Sequence, residues 1–151
     1  YPTLLNQINL DRLKFLRQFT KNVGFSDHSS TKNDPLVASK LALYHGAKVI
    51  ERHFTILKRD ETKDGPVSIN PTELNELVKF AQLNRELQYE NLVKNKIIPE
   101  EYVTNKYEDK GLNNIELLNR DYYRGRFVSP VKRNGKYIHE YITNWEETPL
   151  N

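Results

Sequence analysis

The sequence contains no cysteine in its 151 residues, and it has no long hydrophobic run. Without cysteine, disulfide bonds and thiolate chemistry are excluded, so any metal ion must be held by histidine or by oxygen ligands. Without an apolar run of roughly 20 residues, no membrane span is predicted. We therefore expect a cytoplasmic protein that has no membrane partner.

The sequence also lacks a large excess of either charge, since it has 23 basic and 20 acidic residues and a net charge of only +3. Nucleic-acid-binding domains usually carry a larger basic excess, so we expect no nucleic acid partner. The hydrophobic content of 37% allows one ordinary domain with a modest core. A weakly positive protein of this kind can still favour small anionic substrates.

Helices and short apolar strands alternate in the first two thirds of the chain. Leucines at helical spacing predict a helix over residues 9–21, and the apolar residues 23–25 predict a buried strand. A second helix is predicted from Asp34 as the cap, Pro35 as the first residue and Gly46 as the left-handed end.

A second strand and a third helix follow. The strand is predicted over residues 47–50. The helix begins after Asn70, which can cap it, with Pro71 at the first position and Glu73 able to reach back to the cap amide. Its apolar positions predict that it continues to about residue 93.

This order of elements is typical of consecutive β/α units. The strands are apolar throughout rather than alternating, as in parallel sheets that are covered on both faces. Two such strands cannot form a stable sheet alone, so we expect further strands upstream or a partner chain. The predicted fold class is α/β, with residues 1–93 as one part and residues 94–151 as a linker and extension. An Asn-Gly turn at 134–135 predicts a hairpin between residues 127–129 and 136–138.

Polar residues follow both predicted strands. The residues at these two strand ends are Ser26, Asp27, His28, Glu51 and His53. Active sites of parallel β/α folds lie at this end of the strands. Two imidazoles from neighbouring strands can bind one metal ion and leave positions open for substrate. Taken singly, a histidine is more commonly a surface or hydrogen-bonded residue, but two at equivalent positions favour a metal site.

Four motifs occur in the first part of the chain. They are Tyr1-Pro2-Thr3, Gly24-Phe25-Ser26-Asp27-His28-Ser29, Val49-Ile50-Glu51-Arg52-His53-Phe54-Thr55 and Ser68-Ile69-Asn70-Pro71. In order and spacing they resemble the sialic acid synthases, a family that includes the N-acetylneuraminate, legionaminate and pseudaminate synthases. The resemblance covers about residues 1–90.

The resemblance implies a (β/α)8 (TIM) barrel, of which this chain forms the C-terminal β/α units. It implies condensation of phosphoenolpyruvate with an N-acylated amino sugar of the N-acetylmannosamine type, with release of phosphate, in nonulosonic acid biosynthesis. It also implies a divalent metal, typically Mn, held by His28 and His53 and polarising the aldehyde oxygen of the sugar. Ser26 is expected to contact phosphoenolpyruvate, Asp27 is also assigned to substrate binding, and Tyr1 is expected to border the sugar pocket. The full-length enzyme is expected to be a homodimer.

The charged loop after the second strand departs from the Gly-Pro-Asp-His pattern of the family. By default such a loop is solvated, but this one leaves its strand at the active-site end. Alignment on residues 68–71 places Asp64 where the family has its sugar-binding aspartate, whereas alignment on Gly65-Pro66 loses that acid. We prefer the first alignment, and Asp64 and Glu51 are the candidate catalytic acids.

Part of the family pattern lies outside this sequence. The first five barrel strands of the family carry an essential acid, a lysine and phosphate-binding groups, so the chain is expected to be a fragment that is inactive alone. Residues 126–128 and 132–135 only faintly resemble the start of the family's antifreeze-like domain, and its arginine is not assigned here. Two alternatives stay open: a non-enzymatic remnant or interaction module of the same fold, and another metal-dependent barrel lyase or isomerase.

Overall fold

The computed structural model divides the chain into two compact units, Tyr1–Asp109 and Lys110–Asn151. It describes residues 2–32 and 35–94, the single positions 98, 102, 114, 117 and 118, and the backbone of 131–133 and 136–138. The predicted division between residues 93 and 94 stays a prediction.

The first unit alternates helices with two short strands, as the sequence predicts. Its elements are α1 (Asp11–Leu16), β1 (Gly24–Asp27), α2 (Val37–Tyr44), β2 (Val49–Arg52), α3 (Pro71–Ala81) and α4 (Arg85–Val93). Short 3-10 turns occupy Leu5–Gln7, Arg59–Glu61 and Gly65–Val67. None of the helices in the described ranges has the length and apolarity needed to cross a membrane.

The two strands pair in parallel, with Gly24 opposite Val49 and Asp27 opposite Arg52. Beyond these strands, Thr3 forms a parallel bridge to Ser29, and Phe54 forms one to Ile69. Four chain segments therefore run parallel in sequence order at this end of the sheet. The predicted α/β class, with parallel strands joined by helices, is confirmed.

Both strands extend further into the polar residues than predicted. The sequence places the strands at residues 23–25 and 47–50, whereas β1 continues to Asp27 and β2 to Arg52. These two polar residues stay in the strands because they are opposite each other in the register and form a buried ion pair.

Helix α2 ends as its sequence predicts. Gly46 has a φ of 93°, a left-handed conformation that glycine adopts without steric cost. Its amide donates to the carbonyl of Leu43, and the Ala47 amide donates to the carbonyl of Ala42, which satisfies two terminal carbonyls of the helix. The predicted start is less accurate, because Pro35 precedes the helix, which begins at Val37. The predicted cap, residue 34, lies outside the described residues.

The third predicted helix is wrong in its length, because the chain forms two helices over this stretch. Its start is confirmed: the Asn70 side chain accepts from the Glu73 amide, and Glu73 accepts from the Asn70 amide. The break follows α3, where the side chain of Asn84 accepts from the amide of Leu87 and so starts α4. A capping asparagine competes with helix continuation, since its side chain offers the backbone an alternative partner.

Two further predictions are corrected or refined. The first helix spans Asp11–Leu16 rather than residues 9–21, since the chain turns after residue 16. In the second unit, β3 (Val131–Arg133) and β4 (Lys136–Ile138) form the antiparallel pair expected around residues 134–135. Residues 127–129, predicted as the first strand, lie outside the described residues.

The two faces of the β1–β2 pair differ. One face packs on a core formed by α1 and α2, in which Phe25 and Ile50 contact the buried side chains of Leu13, Val23, Ala42 and Ala47. The other face is exposed in the described part of the chain, and Val49 on it is 59% exposed. We refer to these as the helix-covered face and the open face.

Candidate functional site

The two histidines of interest come together at the ends of the parallel strands. His28 directly follows β1 and His53 directly follows β2, and their ring centroids lie 5.2 Å apart with the rings inclined by 58°. Two imidazoles that share one cation through nitrogens at about 2.1 Å have centroids about 5 Å apart. The pair therefore has the spacing of two ligands to a common metal ion.

Asp64 lies beside this pair. Its Oδ2 is 3.8 Å from Nδ1 of His53, and the two side chains are 45% and 36% exposed. Within the described ranges, no group of three or more histidine or acidic residues is arranged to hold a metal ion. The candidate metal ligands are the two imidazoles, and the carboxylate of Asp64 lies next to His53.

The loop that carries Asp64 is fixed by close contacts. A Cβ on Gly65 would lie 1.7 Å from the carbonyl oxygen of Arg59, so only glycine fits there. Arg59 forms an ion pair with Glu73 and donates to the carbonyl of Ser68. Thr31, from the loop after β1, donates its amide and its hydroxyl to the carbonyl of Pro66. These contacts place Asp64 near the strand ends.

Ser26 and Glu51 belong to the open face. They are opposite each other in the register, and both are exposed. Because side chains alternate along a strand, Ser26 and His28 share a face, and so do Glu51 and His53. The open face thus groups four of the predicted site residues. Tyr1, the predicted border of the sugar pocket, lies outside the described residues.

Asp27 is on the helix-covered face, and its side chain is fully buried. It forms an ion pair with Arg52 and accepts from the Ser29 amide at 2.8 Å and from the Ser39 hydroxyl at 2.5 Å. Both carboxylate oxygens are engaged and neither is exposed, which favours a structural role. The assignment of Asp27 to substrate binding stays a prediction.

Arg52 is the residue that sequence reasoning missed. Only 4% of its side chain is exposed. Burial lowers the pKa of Arg52, and the Asp27 carboxylate acts in the opposite direction. An arginine still keeps its proton near neutral pH. Its guanidinium also donates to the hydroxyl and carbonyl of Ser29 and to the carbonyl of Pro35. The sequence signal that could have found Arg52 is its position next to His53, because parallel pairing of the two predicted strands sets it opposite Asp27.

The sequence profile of the NeuB family matches residues 1–91 of the chain, which include every described residue of this site. The chain belongs to the NeuB family. The resemblance to sialic acid synthases that the motifs indicate is thereby confirmed.

Curated relatives with established names include two synthases from Campylobacter jejuni. The N,N'-diacetyllegionaminic acid synthase is 38% identical over 78 residues, which are 51% of this chain and 22% of the relative. The pseudaminic acid synthase is 37% identical over 79 residues, which are 52% of this chain and 22% of the relative. The matched part is thus less than a quarter of either synthase.

One solved structure that the chain matches is the N-acetylneuraminic acid synthetase of Leptospira borgpetersenii in complex with citrate. It matches with a TM-score of 0.49 and 25% sequence identity, over 82% of this chain and 36% of that chain.

Proposed function

We propose that this chain contributes the metal-binding strand ends of a sialic-acid-synthase-type enzyme. In the proposed reaction, C3 of phosphoenolpyruvate bonds to the aldehyde carbon of an N-acylated amino sugar, water is consumed and phosphate leaves. The observation that carries the proposal is the pair His28 and His53, whose rings lie 5.2 Å apart at adjoining strand ends. Membership of the NeuB family and similarity to two nonulosonic acid synthases support it.

The open face suggests a role for each side chain on it. His28 and His53 would hold a divalent cation, with Mn²⁺ as the candidate, and a cation there supplies a Lewis acid for the carbonyl oxygen of the sugar. Asp64, whose carboxylate lies beside His53, would accept hydrogen bonds from sugar hydroxyls. The exposed hydroxyl of Ser26 can donate to an anionic oxygen of phosphoenolpyruvate. Glu51 provides a second carboxylate on this face.

We further propose that other strands of a (β/α)8 barrel complete the site. The open face exposes Val49 and Glu51, whereas the strands of such a barrel have interiors filled by side chains. The aligned part covers 22% of each Campylobacter synthase, so most of a complete enzyme is not represented in the match. The homodimer expected from the resemblance applies to the complete enzyme.

A chimera tests the proposed reaction directly. Residues 1–91 of this chain replace the matching segment of the Campylobacter jejuni legionaminic acid synthase, and phosphate release from phosphoenolpyruvate and N-acylated amino sugars is measured with Mn²⁺. We expect activity in the chimera. We expect His28→Ala and His53→Ala each to reduce kcat/KM about a thousandfold, a loss of about 4 kcal/mol in transition-state stabilisation.

His45→Ala is the matched control for these two substitutions. His45 ends α2 and precedes β2, whereas His53 follows β2, so the loss of His45 should leave kcat/KM within about twofold of the chimera. A folded chimera without activity on any such sugar would contradict the proposed reaction. Full activity after both site histidines are replaced would contradict the proposed metal site.

A further inference from the structure

We propose that the buried Asp27–Arg52 ion pair is a positioning device that sets the separation of the His28 and His53 imidazoles. The inference deepens the proposed function, because it concerns how the chain presents its two candidate metal ligands. Each member of the ion pair directly precedes one of the histidines in the sequence. The two members are also opposite each other in the parallel register, so the pair joins the strands one residue before both rings.

The ion pair stands at the last paired position of the two strands. The register of β1 with β2 ends at Asp27 and Arg52. Past that point each strand bonds outward: the His28 carbonyl accepts from the Thr3 amide at 2.9 Å, and the His53 carbonyl accepts from the Ile69 amide at 2.8 Å. The ion pair is therefore the side-chain link at the last paired position, directly before the two histidines.

Arg52 also holds the backbone on both sides of His28. Its guanidinium pairs with the Asp27 carboxylate before that histidine, and it donates to the hydroxyl and the carbonyl of Ser29 after it. The distances to the Ser29 oxygens are 2.9 and 3.0 Å. Because His53 directly follows Arg52 in the chain, the Arg52 side chain links the backbone next to His53 with the residues on either side of His28.

The carboxylate of Asp27, at the other end of the ion pair, is also held by hydrogen bonds. Asp27 accepts from the Ser29 amide and from the hydroxyl of Ser39 on α2, and its side chain has no exposed surface. This geometry requires an arginine. A planar guanidinium donates several hydrogen bonds in fixed directions, whereas a lysine ammonium acts as a point charge and cannot form the same fork.

The test compares Arg52→Lys, Arg52→Met and Ser29→Ala with a matched control, Lys40→Met. Lys40 is another buried cation, 4% exposed, and it pairs with Glu76 on α3 rather than with a residue of the strands. The first readout needs no metal: the nuclear Overhauser contact between the ring protons of His28 and His53 in the 151-residue chain, assigned with His28→Ala and His53→Ala. The second is Mn²⁺ affinity, measured by electron paramagnetic resonance. Circular dichroism reports folding.

Arg52→Lys and Arg52→Met are expected to weaken the ring contact and to reduce Mn²⁺ affinity about tenfold, the range seen when groups that orient metal ligands are changed. Lys40→Met is expected to lower the melting temperature without changing either readout. Ser29→Ala, which removes one hydroxyl, is expected to give a smaller change in the same direction, and it decides the question if an Arg52 variant does not fold.

The outcomes separate this inference from the proposed function. An unchanged ring contact in the folded variants overturns the positioning role and leaves the ion pair as a stability element. Unchanged Mn²⁺ affinity in a variant with disturbed rings overturns it too. If the wild-type chain binds no Mn²⁺ but its ring contact depends on Arg52, the two histidines do not bind the cation without the rest of the enzyme, and the positioning role stands.

Discussion

Both faces of the β1–β2 pair carry polar side chains, but those on one face are buried and those on the other are exposed. On the helix-covered face, Asp27 and Arg52 are almost completely removed from solvent and contact protein groups. On the open face, Ser26 and Glu51 are exposed. Because successive strand residues point to opposite sides, neighbours in the sequence belong to different faces. Adjacent polar residues in one motif therefore serve different purposes, one internal and one directed outward.

The largest expected effect concerns the charged residues of the two faces. Asp27→Ala leaves Arg52 buried without its partner, and removing one member of a buried ion pair typically costs about 3–5 kcal/mol. Glu51→Ala removes an exposed carboxylate, so its effect on the free energy of unfolding should stay within about 0.5 kcal/mol. Urea denaturation of the two variants measures the difference.

Glu51→Ala is the matched control for Asp27→Ala, because it also removes a carboxylate and does so at the strand position next to Arg52. Equal losses of unfolding free energy in the two variants would mean that the faces are not distinguished by burial. The contrast between the helix-covered face and the open face would then not hold for Asp27 and Glu51.

A smaller effect is expected in the loop that brings Asp64 to the open face. In Gly65→Ala the new methyl group meets the carbonyl oxygen of Arg59 at 1.7 Å, so the loop must shift. Overpacking of this kind costs about 1–3 kcal/mol. Gly24→Ala is the matched variant, since its methyl group would meet Val49 at 3.3 Å and needs only slight adjustment.

Gly65→Ala should also change how Asp64 approaches His53, and in the chimera it should raise KM for the sugar more than it lowers kcat. Gly24→Ala should leave both constants within about twofold. Identical kinetics in the two variants would show that the tight Gly65 contact does not position Asp64 for the reaction.

The sequence predicts those features that depend on local signals. Proline and asparagine at a helix start and glycine at a helix end each leave a pattern within a few residues, and the structure has the start of α3 and the end of α2 where they are expected. The meeting of His28 with His53 was also predictable, because the C-terminal ends of parallel strands lie at the same edge of a sheet.

Features that depend on distant partners were not predictable. Asp27 follows Ser26 and precedes His28, and nothing local distinguishes a carboxylate that faces Ser39 and Arg52 from one that faces solvent. The break before α4 was missed because the apolar spacing continues across it, while the capping asparagine that decides it is a single residue. The contact of Asp64 with His53 depends on loop packing over several turns.

The smallest expected effect tests whether the open face is truly uncovered in the isolated chain. Val49 is 59% exposed, so Val49→Ala should change the free energy of unfolding by about 0.5 kcal/mol or less. Ile50, the next residue, packs against two clusters of the core, and Ile50→Ala should cost about 2 kcal/mol. Both substitutions truncate a β-branched residue in the same strand, so the loss of strand propensity affects them alike. If Val49→Ala proves as costly as Ile50→Ala, and the cost rises with protein concentration, a second copy of the chain covers the open face. The exposed arrangement of Ser26, Glu51 and the two imidazoles would then belong to the single chain alone.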